Sequence, residues 1–260
     1  MLKNKVALIT GSTSGIGLAT AKVLARKGIN LVINGLMSDE EGSQLARELE
    51  TEFAIKVMFD GANLAEPKQI ETMIRRAIDT LGSIDILVNN AGIQHTSPIE
   101  KFPTDKWNDI IAINLSSAFH TTQGVLSSMN KNKWGRIINI ASVHGLVGSV
   151  NKSAYVAAKH GLVGLTKVSA LELASSGITV NAICPGWVET PLINQQIEDI
   201  AAQQNIDISQ AKEALITAKQ PLPEMASPAQ IGEFILFLCS NAASSITGAS
   251  LPIDGAWTAQ

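Results

Sequence analysis

Short runs of valine, isoleucine and leucine alternate along the chain with longer stretches whose apolar residues recur at helical spacing. The short runs lack the apolar–polar alternation of a half-exposed sheet. They read as strands buried on both faces, and the stretches between them as covering helices. Strands are predicted at 6–10, 29–33, 55–59, 84–88, 136–140, 179–183 and 251–253, and helices at 15–26, 39–52, 67–80, 104–130, 153–175 and 228–239. Leu45 and Leu49 share the sheet-facing side of the second helix, Pro67 suits the first turn of the third, and Thr104 is placed to cap the long fourth. Gly124, inside that fourth helix, is expected to be tolerated rather than welcome. The pattern is α/β: a doubly wound, mostly parallel sheet of seven strands in a single domain over residues 1–260. Residues 191–223 break the rhythm. They are rich in Gln, Ala and Ile, with helical spacing but little obligate core, and predict a small helical lid over the carboxyl ends of the strands.

Composition narrows the partners. Of 260 residues 45% are hydrophobic, enough for one sizeable core. Charges of both signs are spread along the chain to a net −3, so no basic stripe invites nucleic acid or an anionic membrane. No apolar run reaches bilayer-spanning length and no cleavable apolar leader is visible, which makes a cytoplasmic location the expectation. Cys184 and Cys239, each beside apolar residues, read as buried free thiols suited to a reducing compartment. His95, His120, His144 and His160 show no ligand spacing, so no metal is expected.

The first strand runs into Thr10-Gly11-Ser12-Thr13-Ser14-Gly15-Ile16-Gly17. Between a buried strand and a helix, Gly11 permits a tight turn, Gly15 lets backbone approach a pyrophosphate, and Gly17 lets the helix pack close to the sheet. The unpaired amides of the helix start then face the phosphates, in the manner of a Rossmann-type sheet. The Gly-Lys-Ser/Thr ending of a phosphate-transfer loop is absent.

The spacing of these glycines resembles the T-G-x-x-x-G-x-G form of the short-chain dehydrogenase/reductase family. Further motifs follow in order: Asn89-Asn90-Ala91-Gly92, Asn114, Ser142, Tyr155-x-x-x-Lys159 and Pro185-Gly186. Tyr155 and Lys159 lie one helical turn apart and share a face, and Tyr155 is the only tyrosine in the chain. The resemblance implies a nicotinamide dinucleotide held by Gly11, Thr13, Ser14, Gly15, Ile16, Gly17, Leu36, Asn63, Leu64, Asn90, Ala91, Gly92, Tyr155, Lys159, Pro185, Gly186, Val188 and Thr190. It implies catalysis by Asn114, Ser142, Tyr155 and Lys159. Tyr155 would exchange a proton with the substrate oxygen, its phenol made more acidic by the Lys159 ammonium and the oxidised nicotinamide. Ser142 would donate to that oxygen, Lys159 would hold the nicotinamide ribose, and the Asn114 carbonyl would hold a water on a proton path. NAD is expected rather than NADP, because Ser14 and Asn34-Gly35-Leu36-Met37 offer no cation for a 2′-phosphate. Asn63 stands where the family often has an aspartate near the adenine.

Within that family the chain resembles the branch that interconverts D-3-hydroxybutyrate and acetoacetate, through Gly92-Ile93-Gln94-His95, Ser142-Val143-His144-Gly145, Lys152-Ser153-Ala154-Tyr155, Gly186-Trp187-Val188 and Asp254-Gly255-Ala256-Trp257. The branch implies a small carboxylic acid gripped by Gln94, His144, Lys152 and Gln196, with Ser142 and Tyr155 at the reacting oxygen and Trp187 and Trp257 along the acyl chain. Gln94 and Lys152 also fit solvated loop positions, His144 a structural role, and Gln195 competes with Gln196 for the lid contact. A reductase of another small hydroxy acid, a 3-hydroxyacyl thioester or a polyol is the alternative, and a catalytically silent dinucleotide sensor a more distant one. The resemblance further implies a homotetramer built on helices 104–130 and 153–175, with the last strand and its neighbouring helix as a second interface.

Overall fold

The computed structural model describes residues 2–259. Its seven strands are β1 (Val6–Ile9), β2 (Asn30–Asn34), β3 (Val57–Asp60), β4 (Ile86–Asn89), β5 (Gly135–Ile140), β6 (Ile178–Pro185) and β7 (Ser250–Ile253). They form one sheet in the order β3-β2-β1-β4-β5-β6-β7, with every neighbouring pair parallel. The helices are α1 (Gly15–Ala25), α2 (Asp39–Phe53), α3 (Pro67–Leu81), α4 (Thr104–Ile111), α5 (Ser117–Asn132), α6 (Ser153–Leu173), α7 (Pro191–Gln204), α8 (Ile208–Thr217) and α9 (Pro228–Cys239).

The double burial inferred from the strand sequences is visible residue by residue. Ala7 and Ile9 of β1 join a core under α1, α2 and α9, whereas Val6 and Leu8 join the opposite core under α3 and α5. Strand order reverses between β1 and β4, and the crevice opened there at the carboxyl ends is where such sheets receive ligands.

Two expectations for the fourth helix need correction. It is not continuous, because α4 and α5 are joined by a π turn at Ala112–Ser116. Nor does Thr104 cap it: Pro103 occupies the cap position in extended backbone, so Thr104 is already the first helical residue and makes no capping bond. Gly124 is also more than tolerated. A Cβ there would lie 2.5 Å from Ile74 Cδ1, so the missing side chain sets how closely α3 and α5 approach. Residues 191–217 form the helix pair α7–α8, with a small core of Ile197, Ala201 and Ala211. Asp207 caps α8 by accepting from the Gln210 amide, while Gln210 accepts from the Asp207 amide. Both cysteines are free and buried, which pushes their thiols up to about 11 for Cys184 and about 12 for Cys239.

Candidate active site

Two cavities open at the strand reversal and share Ile16, Asn90, Gly92, Ile93 and Thr190 in their walls, so they form one groove. The larger, about 390 Å³, is lined by Gly11, Thr13, Ser14, Gly15, Leu36, Asn63, Leu64 and Ala91 as well as those shared residues. Its floor is held by hydrogen bonds between loops. Thr10 Oγ1 accepts from the amides of Asn90 and Ala91, and Asn90 Nδ2 donates to the carbonyls of Thr10 and Gly11. Gly17 lines neither cavity. It sits behind the turn, where a Cβ would come within 2.6 Å of Asn90 Nδ2 and collide with the Gly11 carbonyl. Ser14, the cap of α1, makes no side-chain capping bond, which leaves first-turn amides for an external anion. This groove therefore fits a dinucleotide. Among the described residues no lysine or arginine, and no carboxylate, lines the larger cavity.

One organiser of this end escaped the sequence reading. Asn34 is buried at the end of β2, accepts from the Gly11 amide at 3.3 Å, and donates to the carbonyls of Asp60 and Ala62 at 3.0 Å. A polar residue closing an otherwise apolar buried strand was the available signal. Asn63 already has work to do: its Oδ1 accepts from the Ala65 amide at 3.0 Å.

The smaller cavity, about 180 Å³, brings together Gln94, Ser142, His144, Lys152, Tyr155, Lys159, Trp187 and Trp257, with Pro185, Gly186 and Val188 along its cofactor side. Tyr155 and Ser142 both line this cavity, and Ser142 Oγ accepts from the His144 amide at 3.1 Å. Lys159, buried on the same helix, donates to the Ile140 carbonyl at 2.7 Å, and its Nζ lies 5.6 Å from the Tyr155 ring centre. Asn114 is outside the wall but behind it. Within the π turn its side chain accepts from the Ile93 amide and donates to the Ile93 carbonyl, both at 2.8 Å, fixing the loop that carries Gln94. Gln196, on α7, does not line the cavity; Gln195 donates to Asp199 on the exposed side of the helix.

The electrostatics differ from expectation at Tyr155. Burial holds the Tyr155 hydroxyl above the usual phenol range, and the neighbouring Ser142 hydroxyl only partly opposes it. The expected lowering is not produced by Lys159 as placed, since burial brings that ammonium down to about 8 and its Nζ is bound to a carbonyl. The resemblance places His144 beside Lys152 at a carboxylate and leaves its charge open. Burial, with Lys152, Lys219 and His160 nearby, pushes it down to about 4, the Val147 backbone opposing. His144 is thus a neutral donor near pH 7. Burial also lowers Lys152, which with Lys159 is one of two lysines in the cavity wall.

Residues 5–201 match the short chain dehydrogenase family. The chain belongs to that family. It is 52% identical to the D-beta-hydroxybutyrate dehydrogenase of Cupriavidus necator, with all of both chains covered. It is 48% identical to the protein of the same name from Rhizobium meliloti, over 98% of this chain and 99% of the relative. Among solved structures, levodione reductase superposes with a TM-score of 0.91 at 34% identity, over 100% of this chain and 99% of that one. Family membership carries the coarse activity, NAD(P)-dependent oxidoreduction of small hydroxy compounds. No helix among the described residues is long and apolar enough to cross a membrane.

Proposed function

We propose that this short-chain dehydrogenase interconverts D-3-hydroxybutyrate and acetoacetate with NAD. The observation that carries the proposal is the joining, in one cavity of about 180 Å³, of Ser142, Tyr155 and Lys159 with Lys152, Gln94 and His144. An alcohol oxygen between Ser142 and Tyr155 and a carboxylate at Lys152 suit a short hydroxy acid. Trp187 and Trp257, 5.4 Å apart, leave little room beyond it. The names of the two bacterial relatives point to the same substrate.

Bound NAD supplies the hydride acceptor. Tyr155 takes the alcohol proton in oxidation and returns it in reduction, and Ser142 donates to the oxygen on which charge develops. A buried phenol needs positive charge to ionise, so Lys159 must turn its ammonium from the Ile140 carbonyl towards the reacting centre. Asn114 holds the wall behind Gln94, and its backbone carbonyl lies on the proton route to solvent. The grip on the acid is one charge-assisted bond from Lys152 with neutral donors from Gln94 and His144; Gln196 joins when α7 and α8 close as a lid. NADP is disfavoured because its 2′-phosphate meets no cation in the larger cavity. Exposed Trp107 and Phe119 on α4–α5, with Val168 and Leu171 on α6, fit the helix interface of a homotetramer.

The test is NADH formation with D-3-hydroxybutyrate, its L-enantiomer and a neutral secondary alcohol, each with NAD and NADP. Rapid turnover of the D-acid with NAD alone is expected. Preference for the neutral alcohol would overturn the substrate assignment and leave the family chemistry standing.

A further inference from the structure

Gln220 follows α8, lines neither cavity of the groove, and is only 3% exposed. A glutamine with that burial needs internal partners, and it finds them in its own strap: Nε2 donates to the carbonyls of Leu222 at 2.8 Å and Glu224 at 2.5 Å. The same side chain fills the space between two turns. A Cβ on Gly186 would come within 3.2 Å of Gln220 Oε1, and a Cβ on Gly255 within 2.5 Å of its Cγ and Cδ. Gly186 directly precedes Trp187, and Gly255 lies two residues before Trp257.

Backbone bonds complete the connection. The Leu222 amide donates to the Gly255 carbonyl, the Ala226 amide to the Trp187 carbonyl, and the Glu189 amide to the Ala226 carbonyl. Asp254 accepts from the amides of Ala256 and Thr258 and from Thr258 Oγ1, which fixes the turn beneath Trp257. The end of the α7–α8 pair is therefore wedged, through one buried amide, between the two turns that carry the facing tryptophans.

We infer that Gln220 is a positioning residue that sets the spacing of Trp187 and Trp257 and thereby the length of acyl chain the cavity accepts. This rests on the hydroxy-acid reading of the site for its substrate, but not for the tryptophan geometry. The amide acts as a spacer held in one rotamer by two carbonyls. Without it the strap and the two turns can shift relative to one another, and the apolar wall loosens while Ser142, in the turn after β5, and Tyr155 and Lys159, on α6, stay in place.

Two variants separate packing from hydrogen bonding. Gln220→Met keeps a long side chain between the glycines but loses both donors, and Gln220→Ala loses both. The first readout is the near-ultraviolet circular dichroism of the Trp187–Trp257 pair, defined by subtracting the spectrum of Trp187→Phe. The second is the ratio of kcat/KM for four-carbon over five-carbon D-3-hydroxy acids, with NAD affinity alongside. One methylene in an apolar pocket is worth about 10- to 200-fold. The ratio should accordingly fall at least about fivefold in Gln220→Met and further in Gln220→Ala, through KM rather than kcat, with the pair signal reduced and NAD affinity unchanged. An unaltered pair signal and ratio in folded Gln220→Met would overturn the inference, as would a parallel loss of kcat and NAD affinity. If Gln220→Ala does not fold, Gln220→Met decides. If the parent protein does not oxidise D-3-hydroxy acids, the substrate reading fails separately, and the pair signal still tests Gln220.

Discussion

The two ends of the groove are built from different materials. At the larger cavity, the polar contacts come from backbone and small or amide side chains, namely the glycine turn, Ser14, Asn34 and Asn90, locked to strands β1, β2 and β4, between aliphatic side chains such as Leu36 and Leu64. At the smaller cavity, Lys152, His144, Trp187 and Trp257 project from loops and helix starts after β5, β6 and β7. A backbone cradle admits any ligand with the right phosphate spacing and holds it through fixed dipoles. A cavity of large side chains discriminates, because each ring or charge can be changed without disturbing the sheet. Cofactor binding and substrate choice should therefore be separable by mutation.

The strongest challenge to that separation is Tyr155→Phe. Removing one hydroxyl should cost roughly 10²–10⁴ in turnover, the range of a general acid–base contribution, with NAD affinity by fluorescence titration unchanged. A variant retaining near-parental turnover would place the proton transfer elsewhere. Next comes Lys152→Ala. With His144 neutral, Lys152 provides the positive charge of the acid-binding wall. Its loss should lower kcat/KM for D-3-hydroxybutyrate by about 2–5 kcal/mol where the carboxylate is desolvated, and far less for a neutral ketone. Equal losses on the two substrates would make Lys152 a support of α6 rather than a recognition group.

His144 gives a pH-dependent contrast between the two ends. Its folded value of about 4 lies below the ordinary 6.5, so the unfolded chain binds the proton more readily. The stability tied to neutral His144 is thus fully present above about pH 6.5 and is lost as pH falls towards 4, to an extent of at most about 3 kcal/mol. Denaturant midpoints between pH 7 and 4.5 should fall more steeply for the parent than for His144→Gln. Matching slopes would show that His144 is not the group protonated on acid unfolding.

The sequence announced the cofactor end more completely than the substrate end, for physical reasons. Buried parallel strands write themselves as unbroken apolar runs, and a glycine turn between strand and helix carries its own geometry. The π turn at Ala112–Ser116 left no mark, because the surrounding helical spacing continues through Asn114 without a proline or glycine to interrupt it. The polar end of β2 marks Asn34, but its partners are the backbone of distant loops, and Gly124 acts through the approach of Ile74 from another helix; neither set of partners is written in a local pattern. The charge of His144 was illegible for the same reason. It is decided by burial and by Lys152, Lys219 and His160 together, groups assembled only by the fold.

The smallest expected effect tests the cofactor end at Asn63, where the resemblance implies an aspartate. Asn63 Oδ1 already accepts from the Ala65 amide, and the Asn63 amide donates to Gln69 Oε1 at 2.8 Å. The turn is therefore satisfied by one acceptor, and the other side-chain position is an amide NH2 group that donates and cannot accept from the exocyclic amine of adenine. Asn63→Asp keeps the acceptor used by Ala65 and replaces that amide nitrogen with a second, charged oxygen. Charge-assisted hydrogen bonds are roughly twice as strong as neutral ones, but Asn63 is only half-buried and solvent screens the gain. A rise in NAD affinity of about two- to fivefold is expected, with kcat at saturating NAD unchanged. Nicotinamide hypoxanthine dinucleotide, which lacks the exocyclic amine, supplies the control: its affinity should not improve in Asn63→Asp. Equal gains for both dinucleotides would mean that the substitution acts by stiffening the 63–65 turn, and that adenine is held by the backbone alone, like the rest of that end of the groove.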